Sequence, residues 1–266
     1  GDPGRSIALL WGAAPFDARV EAAAHQYGLS TSSCGQWAAD QARSWALAAG
    51  VLLVAATVVY GLARVRPARW WVWLSGLAAA GVLAGSFAYP LVVEPVFNTF
   101  RPLPAGPLRA ELMGLAARDG VPVREVLVAD ASRRTTSLNA YVSGLGASRR
   151  IVVYDTLLTQ ASPAQVRLIV AHELGHAARH DVLVGSLLGA GTAAALVPVL
   201  ALTLRSRRLT HRAGLGRRGR LDPAGDPRSL ALVLAVVTAV SVPLTPVASL
   251  LSRQVEARAD VHALEL

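Results

Sequence analysis

Four apolar stretches without a single charged residue, at 45–63, 70–93, 182–204 and 229–251, constrain this chain more than anything else in it. Each has the roughly 20 residues that an α-helix needs to cross the hydrocarbon layer of a bilayer. Long helices buried in a large soluble core are the alternative, but such helices rarely stay charge-free over these lengths. The stretches account for a composition that is 53% hydrophobic and for a mean hydropathy of +0.42. Trp70, Trp71 and Trp73 crowd one end of the second stretch, where an interfacial aromatic belt belongs.

The rest of the chain arranges itself around these spans. Residues 1–44 form a pre-membrane segment, helical in part, and 45–93 hold two transmembrane helices. Residues 94–180 read as a soluble domain, and 181–251 hold two further spans joined by an Arg-rich loop at 205–228. Residues 252–266 form a final helix, starting near Ser252. Within the soluble domain, residues 94–104 are a Pro-punctuated connector, and a helix runs from Pro107 to a stop at Gly120. Strand-like runs follow at 121–129, 140–144 and 151–154, and Asp155 caps a short helix. The expected sheet therefore has three strands.

His172-Glu173-Leu174-Gly175-His176 carries the chemistry. On a helix, residues four apart share one face, so both imidazoles can reach one zinc ion with Glu173 beside it. The helix has its own start signal. Ser162 suits the N-cap, Pro163 the first helical position, and Gln165 completes a capping box. Val166, Ile169, Val170 and Leu174 supply an apolar stripe. Far downstream, Glu256-Ala257-Arg258-Ala259-Asp260 offers Glu256 as third ligand. One turn on, Asp260 can accept a hydrogen bond from a ligand histidine, most simply His172, and fix its tautomer. Three ligands leave an open position for water, as catalytic zinc sites require. Glu173, offset by about 100° from His172, would move protons and not ligate. Other histidines are less specific. His180 lies one further turn along the same face, as an outer-sphere group or, more simply, a capping or interfacial histidine. His262 is a weak candidate for transition-state stabilisation. The segment from Asn139 and Ala140 to Gly144 reads either as an edge strand that holds substrate by added-strand pairing or as an ordinary core strand.

The net charge is +9, and every basic side chain is Arg. Arg205, Arg207, Arg208, Arg212, Arg217, Arg218 and Arg220 invite a nucleic-acid reading, but no aromatic residues interleave them and they sit between two spans. A loop obeying the positive-inside rule explains them, and no nucleic-acid partner is expected. The single Cys34 excludes an intramolecular disulfide.

Taken with Tyr27-Gly28-Leu29-Ser30-Thr31, Glu94-Pro95-Val96-Phe97-Asn98, Arg101-Pro102-Leu103-Pro104, Ser132-Arg133-Arg134, Asn139-Ala140-Tyr141, and residues 150–158 and 251–260, these motifs run in one order. In that order the chain resembles the integral-membrane zinc metallopeptidases called CAAX prenyl protease 1, in a bacterial version. The resemblance covers nearly everything after residue 25. It implies a mostly α membrane protein, with transmembrane helices plus a small α+β gluzincin-type zinc peptidase domain and a short β-sheet. It implies one Zn2+ per chain held by His172, His176 and Glu256, with Glu173 as catalytic acid/base. Asn139 and Ala140 would line the strand that binds a peptide or protein substrate, prenylated in the family. The expected setting is a multi-pass position in a bacterial plasma membrane, with the lipid bilayer as partner.

The family has seven spans where four are found here, and a C-terminal His-Pro segment is also missing, so the chain is expected to be a piece of a longer protein. Two alternatives stay open: a quality-control protease acting on non-prenylated membrane proteins, and a non-catalytic membrane zinc-binding scaffold. The side of the membrane also stays open. The Arg-rich loops 64–69 and 205–228 place the catalytic domain outside by the positive-inside rule, whereas eukaryotic relatives carry it in the cytosol.

Overall fold

The computed structural model describes residues 16–66, 68–215 and 229–266; Arg217, Arg218 and Arg220 lie outside the described residues. The chain divides into two compact units. The first takes the chain up to Leu47, Phe87–Val182 and Val255–Leu266; the second takes Ala48–Ser86 and Leu183–Gln254.

The second unit is helical. It draws on α2 (Cys34–Val65), α3 (Trp70–Ala88), α8 (Asp181–Arg205), the short α9 (Arg207–Arg212) and α10 (Leu230–Glu265). Among the described residues, four helices are long and apolar enough to cross a membrane: Cys34–Val65, Trp70–Phe97, Asp181–Arg205 and Leu230–Glu265. Trp70 does not stand in an exposed belt. It is buried against Val197, Ala201 and Leu204, with Leu62, Leu74 and Leu232 at its margin. Other apolar side chains of this unit, such as Leu52, Leu202 and Leu250, are more than half exposed. That is what helices solvated by lipid show. α10 runs unbroken for 36 residues through Pro243 and Pro246, so no separate helix starts at Ser252. In a span, neighbouring groups re-satisfy the backbone that a proline frees, which is why proline fails here as a stop signal.

The first unit is α+β. Residues 16–26 form α1. α3 passes through a π-turn at Tyr89–Val93 into α4 (Glu94–Phe97). Then come β1 (Phe100–Pro102), α5 (Pro107–Arg118), β2 (Glu125–Ala129), β3 (Ala140–Ser143), β4 (Arg150–Tyr154), α6 (Asp155–Gln160) and α7 (Pro163–Ala178). The sheet has four strands in the order β1-β2-β4-β3, one more than the sequence suggests. The extra strand, β1, lies in the Pro-rich connector and pairs antiparallel with β2. Proline is tolerated there because β1 is an edge strand, whose outer N–H has no ladder partner to lose. β2 and β4 are parallel; β3 and β4 form an antiparallel hairpin.

α5 and α7 pack on one face of this sheet. Leu112 and Leu115 of α5, Val126 of β2, Ile151 and Val153 of β4, and Val166, Val170 and Leu174 of α7 form one buried cluster. Asp155 does not act as an N-cap: it is the first residue of α6, and its carboxylate accepts from the Ser132 N–H at 2.8 Å. A buried cluster anchors the β3–β4 hairpin. Glu94 accepts from Ser143 Oγ at 2.9 Å and pairs with Arg150 Nη2 at 3.3 Å. The same Arg150 nitrogen donates to Pro90 O at 2.7 Å, a carbonyl in the π-turn.

Candidate metal centre

The helix bearing His172 and His176 starts where its local chemistry dictates. Ser162 Oγ accepts from the Gln165 N–H, and Gln165 Oε1 accepts from the Ser162 N–H at 2.8 Å. Val166, Val170 and Leu174 bury one face of α7 in the sheet cluster, which leaves His172 and His176 on another. α7 ends at Ala178, and His180 takes the left-handed conformation at φ 56°. That turn redirects the chain into α8.

α10 brings Glu256 to the two imidazoles. His172 Nε2 and His176 Nε2 lie 3.2 Å apart. Glu256 Oε2 lies 3.4 Å from the first and 3.7 Å from the second. A tetrahedral zinc with ligand bonds of about 2.0–2.1 Å separates its ligand atoms by about 3.3 Å. The three edges of this triangle bracket that value. The other ring nitrogens are spoken for. His172 Nδ1 lies 3.0 Å from Asp260 Oδ1, and His176 Nδ1 lies 2.9 Å from Asp181 Oδ2. A carboxylate at Nδ1 takes that N–H and leaves the Nε2 lone pair free to ligate. So both Nε2 lone pairs and one carboxylate oxygen point into the same small space. By donor set and spacing, the residues present fit a zinc ion.

Glu173 sits beside the triangle. Burial raises its carboxyl pKa above the usual glutamate range; His176 and His172 oppose that shift, and Glu256 adds to it. Desolvation disfavours the charged form, so the group is more basic than a surface glutamate.

Asn139 and Ala140 occupy the edge of the sheet. Asn139 O accepts from the Tyr154 N–H at 3.0 Å, so on β3 the odd-numbered residues face β4. Ala140 and Val142 then direct their N–H and C=O away from it. Ala140 presents backbone alone, since its side chain is buried in the cluster; Asn139 is exposed. β3 lies against α7. Tyr141 packs on the opposite face, beside Leu127, Ala129 and Val152, and burial there raises its hydroxyl pKa, chiefly by desolvation. An apolar cavity of about 390 Å³ opens beside His172, lined by Leu168, Ile169, Asp260, Ala263 and Leu264.

Two further histidines stand apart from the triangle. His180 Nδ1 accepts from the guanidinium of buried Arg149 at 3.1 Å, which makes it a structural partner at the helix end. His262 Nε2 bonds Asp119 Oδ1 at 2.8 Å, not any of the triangle's atoms. Asp181 was invisible in sequence. It stands five residues after His176, off the helical face, and only the left-handed turn at His180 returns it to the ring.

The whole arrangement lies in a segment with known relatives. Residues 102–266 match the family model described as peptidase family M48. The chain belongs to that family. Residues 23–99 match a second model, described as the CAAX prenyl protease N-terminal region with five membrane helices. A Bacillus subtilis protein called an uncharacterized metalloprotease, YhfN, is 31% identical over 244 residues, covering 90% of this chain and 55% of that protein. The CAAX prenyl protease 1 of Saccharomyces cerevisiae is 38% identical over 95 residues, 35% of this chain and 21% of the yeast protein. The crystal structure of S. mikatae Ste24p has the same fold, with a TM-score of 0.80 at 22% identity, over 91% of this chain and 58% of that one. The chain thus spans about half the length of its Bacillus relative. M48 proteins are metallopeptidases, and this chain is a mostly helical, multi-pass integral membrane protein with an M48 peptidase domain.

Proposed function

We propose that this chain is the catalytic part of a membrane-embedded zinc metalloendopeptidase in a bacterial plasma membrane. The triangle of His172 Nε2, His176 Nε2 and Glu256 Oε2, with edges of 3.2, 3.4 and 3.7 Å, carries the proposal. His172, His176 and Glu256 would hold one zinc per chain. When bound, zinc supplies Lewis acidity toward water and a scissile carbonyl.

The chain's own residues do the rest. Asp260 and Asp181 hold the two imidazoles in the tautomer that ligates. Glu173, made more basic by burial, takes a proton from the attacking water and delivers it to the leaving amine. The outward backbone groups of Ala140 and Val142 pair with an extended substrate as an added strand, and Asn139 flanks it. The cavity lined by Leu168, Ile169 and Leu264 accepts an apolar substrate side chain. The names of the CAAX prenyl protease relatives suggest prenylated carboxyl-terminal segments as substrates.

Two measurements test this. The purified chain in detergent should hold about one zinc, lost or weakened in Glu256→Ala. It should also cleave peptide, and Glu173→Gln should lower that rate about 10²–10⁴-fold. Equal activity in the two proteins would sink the hydrolase assignment. Equal cleavage of farnesylated and unmodified peptides would remove the prenyl group from the substrate and favour unmodified membrane proteins.

A further inference from the structure

We infer that Asp119 and His262 are positioning residues for Glu256, seating the turn of α10 that supplies the third metal ligand. This rests on the metal-centre reading above.

The need for such a device shows in the site itself. His172 and His176 are each tied at Nδ1 by a carboxylate, 3.0 and 2.9 Å away. Among the described residues, the only polar groups that Glu256 contacts are those two imidazoles, and its side chain is 57% exposed. Its approach to them depends on the way its helix docks. Ala259 and Ala263 lie on the buried side of that turn.

His262 is wedged between two elements. On one side its Nε2 bonds Asp119 Oδ1 at 2.8 Å. Asp119 follows α5, where its backbone N–H bonds Leu115 O at 3.1 Å. Its side chain is 8% exposed, and among the described residues its Oδ2 has no partner. The imidazole is therefore the group that satisfies a buried carboxylate, which makes the contact specific. On the other side His262 lies against Gly175, inside the turn between His172 and His176. A Cβ on Gly175 would stand 2.9 Å from His262 Cδ2 and 3.3 Å from its Cβ. That approach needs a residue without a side chain, so the glycine of the metal-binding turn is matched to this imidazole. Six residues separate Glu256 from His262, about 9 Å of helix. A rigid helix clamped at His262 and tied to His172 through Asp260 has little freedom left at Glu256.

The test is zinc affinity, by chelator competition on the detergent-purified chain, in two backgrounds. With Glu256 present, His262→Ala and Asp119→Leu should each weaken zinc binding about tenfold or more. His262→Gln, which keeps a donor at similar reach, should restore most of it. In a Glu256→Ala, Asp260→Ala background, where α10 supplies the site neither a ligand nor a partner for His172, the same variants should change affinity little. Loss of the same size in both backgrounds would mean that the pair only supports the fold, and no loss in the first would mean it does not reach the ligand; either overturns the inference. Absence of zinc from the unaltered chain is a separate result, which removes the metal-centre reading and this inference with it.

Discussion

The two units of this chain bury apolar surface by opposite rules. In the first, Leu112, Ile151, Leu157 and Leu174 are fully enclosed by a sheet and the helices on it. In the second, Leu52, Leu202 and Leu250 stay more than half exposed, and Trp70, Val197, Ala201 and Leu204 make the small buried cluster. A peptidase domain in water must hide its apolar side chains from solvent; a span is already in its solvent when they point outward. The lesson is that exposure of a leucine carries a different meaning in each unit, although composition alone cannot separate them.

The sharpest way to break the contrast is a matched pair of truncations. Leu112→Ala should cost about 2–5 kcal/mol, since it opens a cavity in a closed core. Leu202→Ala, 69% exposed, should cost well under half of that. Denaturant or thermal unfolding in one detergent, with both variants side by side, measures the difference; equal losses would place Leu202 in a core.

A milder contrast uses the same local device at the start of two helices. Ser162 and Gln165 exchange bonds at the start of the 16-residue α7, and Ser33 and Gln36 do so at the start of the 32-residue α2. Ser162→Ala should cost about 1 kcal/mol. Ser33→Ala should cost less, because lipid and length hold α2 whatever its first turn does. Circular dichroism melts of the two variants compare them.

The smallest effect sharpens the first unit's account of itself. A carboxyl whose pKa is raised on folding contributes stability that is complete below its unfolded pKa and is lost as pH rises through the folded one. Glu173 is such a group. In the metal-free protein, Glu173→Gln should therefore be slightly more stable than the parent at neutral pH. That gap should close as pH falls through the raised pKa into the ordinary carboxylate range. A neutral-pH destabilisation by Glu173→Gln in chelator would contradict the assigned cause.

Much of this was legible locally. Ser162, Pro163 and Gln165 announce α7, and the spacing of His172 and His176 puts two imidazoles on one face. Charge-free runs announce the four spans because a bilayer demands length and apolarity from contiguous residues. What was missed depends on residues that meet from afar. β1 exists because β2 pairs with it, and its own three residues, with Pro102 among them, argue for a connector. The helix start expected near Ser252 does not exist, because α10 carries the fourth span on without a break into the turn that bears Glu256.

By itself, the sequence determined the number of apolar spans, the helix that carries the two histidines and the kind of donor atoms available. Those follow from periodicity, capping and composition, which act within a few residues. The motif from Glu256 to Asp260 already offered the third ligand; tertiary structure alone decided that Asp181 returns to His176 through a left-handed turn, and that His262 fits Gly175 while satisfying Asp119. Each of these depends on helix packing or on a chain reversal, and neither leaves a periodic trace in the residues that meet.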